Sequence, residues 1–178
     1  MSRSLIAARY LLATHGLGQE QKIELDAIIS ACFSHHADPG DMICLEGAPA
    51  QDLYFLLEGR VQVRTRDYLG VEQDLAVLHA PTMFGHMGLI DGSVRSASCV
   101  ALDRARVNIM NHEQYQRIVD DPGPEGDMFR RLLLAAMSRQ LSQGNTALQR
   151  LLTQDEQDDP TRALGRITGT FEGWEQRR

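Results

Sequence analysis

One stretch of this sequence concentrates residues suited to holding an anion. It reads Phe84-Gly85-His86-Met87-Gly88-Leu89-Ile90-Asp91-Gly92-Ser93-Val94-Arg95-Ser96-Ala97-Ser98. Gly85, Gly88 and Gly92 fall within eight residues. Glycines at that density let a backbone approach a ligand closely and turn N–H groups toward one point. Met87 to Ile90 is long enough for one helical turn, whose N-terminal amides favour an anion. Arg95 supplies a planar guanidinium suited to a phosphate, Ser96 a hydroxyl donor, and Ala97 leaves room beside them. By residue type alone, the stretch also reads as a glycine-rich turn carrying a surface arginine.

Other residues capable of chemistry form no comparable constellation. His35-His36, His79 and His112 show no metal-ligand spacing with cysteines or carboxylates, and His35-His36 reads as a strand edge beside the Pro39-Gly40 turn. Ser96 has no base or nucleophile-elbow motif around it. The three cysteines, Cys32, Cys44 and Cys99, are odd in number and irregularly spaced. Each sits in an apolar pattern and reads as a small core residue in a reducing compartment. The sequence therefore points to a binding module without a cofactor rather than to an enzyme.

Composition narrows the partners. The formal net charge is −6 and Lys22 is the single lysine, so there is no basic stripe to follow a nucleic acid. No apolar run approaches the length of a membrane span, and the start resembles no secretory signal. The expectation is a cytoplasmic protein. A chain of 178 residues suggests one main domain with accessory elements.

The elements that must position the loop follow from hydrophobic period. Ser4 to His15 predicts a short helix stopped by Gly16 and Gly18. Gln19 to Phe33 predicts a better one, with Leu25, Ile28, Ile29, Cys32 and Phe33 on one buried stripe. The period then changes to two. Short apolar runs occur at Met42 to Leu45, Leu53 to Leu57, Leu75 to Leu78, Thr82 to Phe84, Ser96 to Ala101, and at Ala105, Val107 and Ile109. Turns are predicted at Pro39-Gly40-Asp41, Glu58-Gly59 and Gly70. Val61, Val63 and Thr65 alternate with Arg60, Gln62 and Arg64, which predicts one buried face and one wet face. The fold class is mainly β with flanking helices, a barrel, roll or sandwich of seven or eight short strands.

Helix returns at Asn111, which can cap the backbone with Gln114 at the reciprocal position. Asp121-Pro122-Gly123-Pro124 ends that helix. A long helix follows from Gly126 to Leu152, roughly 40 Å. Leu133, Met137, Leu141, Gly144, Leu148 and Leu152 line one face at steps of three and four. That seam suits a partner helix and a homodimer, or packs back on the sheets.

Taken in order, Pro39-Gly40-Asp41, Glu46-Gly47, Leu53-Tyr54-Phe55-Leu56-Leu57-Glu58-Gly59, Phe84-Gly85 and Arg95-Ser96-Ala97 resemble the recurrent motifs of the cyclic-nucleotide-binding domain. That domain occurs in the catabolite-activator group of bacterial regulators and in regulatory subunits of cyclic-nucleotide-dependent kinases. The resemblance covers about residues 19 to 152. It implies an antiparallel β-roll, jelly-roll-like with two sheets, preceded by an N-terminal helical extension (1–18) and followed by a polar tail (153–178) that docks one turn of helix or stays disordered.

The resemblance also implies roles. The loop becomes a phosphate-binding cassette for cyclic AMP or cyclic GMP, with Arg95 and Ser96 gripping the cyclic phosphate and backbone donors at Gly85 and near Met87. His86 stands where the family has a glutamate for the ribose 2′-hydroxyl. Phe84, Gly88, Leu89 and Ala97 complete the cassette, and Asn145 and Thr146 fall near the helix stretch that contacts the purine in the catabolite-activator group. About 25 mostly polar residues follow Leu152, so no winged helix-turn-helix is expected and output passes to an unidentified effector protein instead of DNA. Two alternatives stay open: a roll kept as a protein-interaction scaffold, and a haem-based gas sensor with His86 as ligand.

Overall fold

A strand with a continuous apolar run must be covered on both faces, and Leu53 to Leu57, within the strand Asp52–Glu58, shows how this is done. Leu53, Phe55 and Leu57 project into a core shared with helices, while Tyr54 and Leu56 project into the space between two sheets. The structure, a computed structural model, describes residues 2–158.

In chain order the elements are α1 (Arg3–Thr14), α2 (Lys22–Ala31), β1 (Phe33–Ala37), β2 (Met42–Cys44), β3 (Asp52–Glu58), β4 (Arg60–Arg66), β5 (Glu72–His79), β6 (Thr82–Phe84), α3 (His86–Asp91), β7 (Ser98–Ala101), β8 (Ala105–Asn111), α4 (His112–Val119) and α5 (Pro124–Asp158). The strands form two four-stranded antiparallel sheets, ordered β1-β8-β3-β6 and β2-β7-β4-β5. This is the antiparallel roll that the turn spacing and the resemblance imply.

Each sheet alternation places one core. The helix-side core joins Ala7, Ala8, Leu11 and Leu12 of α1, Leu25, Ile28 and Ile29 of α2, Met110 of β8, and Met128, Phe129 and Leu132 of α5. Asn108, on the same side of β8, is buried, and its Nδ2 donates to the Ile29 carbonyl at 2.7 Å. The second core, between the sheets, is built from small and aliphatic groups with Tyr54 and Phe84 as its aromatics. The predicted capping box is present: the Asn111 side chain accepts from Gln114 N at 2.8 Å, and Gln114 returns the bond to Asn111 N at 3.1 Å.

Several expectations are corrected. The second helix stops at Ala31, and Phe33 is not on its buried stripe. Phe33 begins edge strand β1 and is 69% exposed. Gln62 does not face water, because its amide donates to the Ala76 carbonyl at 3.0 Å under the β4–β5 pair. The apolar run Leu75 to Leu78 does lie on a strand, β5, the outermost of its sheet, where Leu75 and Val77 are exposed. The long helix starts at Pro124 and continues to Asp158, past the predicted end at Leu152.

The chain divides into two units, residues 1–136 and 137–178. The boundary falls inside α5, and it separates the expected seam. Leu133 belongs to the helix-side core and is 5% exposed, so it is not available to a partner helix. Met137 is half-buried, and Leu141, Gly144 and Leu148 are exposed. The side chain of Leu152 and the tail from 159 onward lie outside the described residues. No described helix is long and apolar enough to cross a membrane.

Candidate functional site

The cassette begins where β6 ends. Gly85 adopts φ +78°, a left-handed conformation that turns the chain from β6 into α3. A Cβ there would lie 2.8 Å from Arg95 Nη1 and 2.9 Å from the Tyr54 ring, so glycine is required for space as well as for φ. The predicted helical turn is α3, and Gly92, also left-handed, closes it by donating its N–H to the Gly88 carbonyl at 3.0 Å. Gly88 faces Ala50, where a Cβ would meet the Ala50 methyl at 2.2 Å. The three glycines thus serve a turn, a close helix–loop contact and a helix stop.

The descending arm of the loop is laced to the segment before β3. Arg95 N donates to the Ala48 carbonyl and Gly47 N donates to the Arg95 carbonyl, both at 2.9 Å. Strand β7 therefore starts at Ser98 rather than Ser96. Glu46 is fixed in turn, accepting from Thr65 Oγ1 at 2.8 Å and from Arg66 N at 2.9 Å.

This lacing turns Arg95 inward. Its side chain is not on the surface: the residue is 6% exposed. Nη1 donates to the Gly85 carbonyl and Nη2 to the Asp52 carbonyl, both at 2.7 Å, and Nη2 also reaches the Tyr54 hydroxyl at 3.3 Å. The guanidinium carbon lies 5.0 Å from the Tyr54 ring centroid. Phe84 stacks on the other aromatic, with ring centroids 4.9 Å apart. Burial pushes the Tyr54 hydroxyl up to about 12, with the nearby Arg95 charge opposing, so it serves as a neutral group.

Among the described residues, no carboxylate lies within ion-pair distance of Arg95. A buried cation held only by neutral oxygens and a ring is under-compensated. Of its five N–H donors, Nε–H and one on Nη1 remain beyond these contacts. The arrangement suits a small anion placed at the mouth of the cassette.

The remaining predicted residues divide. His86 is buried at the start of α3, and Met87 is 40% exposed. Ser96 is exposed and Ala97 half-buried beside Arg95. Phe84 and Leu89 are core side chains, the first between the sheets and the second against the helices, so any part they take in binding passes through the backbone. Asn145 and Thr146 lie in the second unit, both exposed on α5, with Thr146 Oγ1 donating to the Ser142 carbonyl at 2.9 Å. Sequence reasoning did not single out Tyr54 or Asp52 as site residues. The one signal was a tyrosine in an otherwise apolar strand, on the same face as Leu56.

The fold is an antiparallel β-roll of two sheets with a glycine-rich helical loop between β6 and β7. Residues 34–121 match the family model of the cyclic nucleotide-binding domain. The chain is 31% identical over 126 residues to the cAMP-activated global transcriptional regulator CRP of Haemophilus influenzae, covering 70% of this chain and 54% of that protein. It is 31% identical over 105 residues to the cyclic AMP receptor protein of Thermus thermophilus, covering 59% and 47%. The crystal structure of the Thermus thermophilus catabolite activator protein superposes with a TM-score of 0.64 at 28% identity, over 79% of this chain and 62% of that one. Residues 34–121 are a cyclic nucleotide-binding domain. The chain spans about half the length of the curated relatives it matches.

Proposed function

We propose that this protein is a non-enzymatic cytoplasmic sensor that seats a cyclic nucleotide of the cyclic AMP or cyclic GMP class in the Gly85–Ala97 cassette and signals through a partner protein. The observation that carries the reading is the buried Arg95 guanidinium, held by neutral oxygens with two donors remaining. A cyclic phosphate supplies the missing charge, and Ser96 adds a hydroxyl at the exposed side. No cofactor enters the reading. Isothermal titration of the full chain with cyclic AMP, cyclic GMP and cyclic di-GMP tests it. Saturable heat with one of the first two supports it, and no heat together with no thermal shift at millimolar ligand overturns it.

Helix α5 supports a homodimer. Within the second unit, Leu141 and Leu148 recur at heptad spacing and are both exposed, with Gly144 between them. An apolar row of that period fits the same row on a second copy. Leu133 is absent from this seam because its own core holds it.

A second reading has one observation in its favour. His86, buried at the head of α3, stands where the resemblance implies a carboxylate for the sugar. An imidazole lacks that charge and its paired oxygens. A scaffold that binds a partner without nucleotide is the outcome that a silent titration would favour.

A further inference from the structure

We infer that Cys44 and Cys99 form a thiol pair that a hydroperoxide converts to an intrachain disulfide at the root of the cassette. The pairing rests on strand register. Met42 of β2 lies opposite Val100 of β7, and in a regular ladder Ile43 would then face Cys99. A bulge intervenes, and Cys44 is the residue paired with Cys99. Directly opposed residues of antiparallel strands have Cα atoms about 4.5–5.5 Å apart, inside the range of roughly 4.4–6.8 Å that a disulfide spans. Both side chains contribute to the core between the sheets, so their Cβ atoms point to the same side.

The two thiols are chemically unequal. Cys44 is half-buried and Cys99 buried. The neighbouring Cys99 thiol, with help from the Arg95 charge, holds the Cys44 thiol below the ordinary thiol range in spite of burial. Cys99 is raised, by its Cys44 neighbour and by burial. A partly accessible, more acidic thiol beside a buried one is the pattern of an attacking and a resolving cysteine. Cys32 differs: it is buried at the end of α2, gives its S–H to the Ile28 carbonyl at 3.2 Å, and is pushed up to about 12 by burial.

The chemistry balances with a hydroperoxide as oxidant. The Cys44 thiolate attacks the terminal peroxide oxygen; an S–O bond forms, the O–O bond breaks, and the alkoxide leaves and takes up a proton. Cys99 sulfur then attacks the sulfur of the Cys44 sulfenic acid. An S–S bond forms, the S–O bond breaks, and hydroxide leaves as water with the Cys99 proton. Two thiols lose two electrons, and the hydroperoxide becomes an alcohol and water. The Cys44 sulfur lies 4.0 Å from the Ala97 carbonyl. The new bond therefore joins β2 to β7 next to the segment whose backbone holds Arg95.

The test uses the full reduced chain, treated with a slight excess of hydrogen peroxide, quenched, denatured and alkylated. The expected product has lost two hydrogens, is alkylated at Cys32 alone, yields a peptide pair joining Cys44 to Cys99, and reverts with dithiothreitol. Cys99→Ser is expected to leave a Cys44 sulfenic acid that dimedone traps. Three results would each overturn the inference: three alkylated cysteines after oxidation, over-oxidation of Cys44 without a cross-link, or a cross-link between chains. The mass readout comes from the natural chain, so it stands even if a variant fails to fold.

Discussion

Arg95 and Gly85 stand ten residues apart in sequence, and the guanidinium of one donates to the carbonyl of the other at 2.7 Å. The contact closes the cassette on itself. It also makes the arginine a structural member of the loop before any ligand arrives, so its replacement should be felt in both folding and binding.

Arg95→Lys keeps the charge but loses the fork that reaches Gly85 and Asp52 together. At least one of those carbonyls then loses its donor. The expected cost is about 1–2 kcal/mol of stability by urea denaturation, with nucleotide affinity reduced by at least roughly tenfold in titration. Unchanged affinity would remove Arg95 from the anion site.

Gly85→Ala and Gly92→Ala separate strain from crowding. Both positions have positive φ, +78° and +71°, but a Cβ at Gly92 meets nothing within 4 Å whereas one at Gly85 meets Arg95 and Tyr54. Gly92→Ala should cost about 1 kcal/mol. Gly85→Ala should cost more and weaken nucleotide binding as well. Denaturant curves with a titration on each variant give the comparison.

His86→Glu restores a carboxylate at the position that the resemblance assigns to the sugar hydroxyl. A charged hydrogen bond of about 1.5–3 kcal/mol corresponds to roughly ten- to a hundredfold tighter binding. Equal affinities for the two proteins would show that His86 already serves the sugar or that this position is outside the site.

Leu141→Glu places a charge in the exposed row of α5. If that row is the dimer seam, light scattering should show the mass fall from two chains to one, with the melting of the roll little changed because Leu141 is not in its core. An unchanged mass would remove the seam.

Alkylation should distinguish the cysteines by pH. Iodoacetamide reacts with the thiolate, so Cys44, held below the ordinary thiol range, should begin to react at lower pH than Cys32. Cys32, held at about 12, should stay slow across the neutral range. Peptide mapping at successive pH values reads both.

Much of the framework was legible locally. The change of period after Phe33, the glycine-bounded turns and the Asn111–Gln114 capping box each depend on neighbours a few residues away, and they recur in the structure. The ends of elements were less legible. Gln62 reads as wet from its alternation with Val61 and Val63, yet a neighbouring strand supplies a carbonyl that lets it be buried. Phe33 reads as the last residue of a helical stripe, yet pairing with Ile109 of β8 draws it into a strand.

The sequence by itself determined the order of elements, the place of the glycine loop and the kind of charge it offers, because period, turn chemistry and residue type are properties of short segments. Tertiary structure alone decided that Arg95 is buried among neutral oxygens, that Leu133 serves its own core while Leu141 stays exposed, and that a bulge at Ile43 sets Cys44 against Cys99. Each of these depends on the register between strands or on which helix face a sheet covers. Such pairings join residues that are distant along the chain, and side-chain identity carries no local record of them.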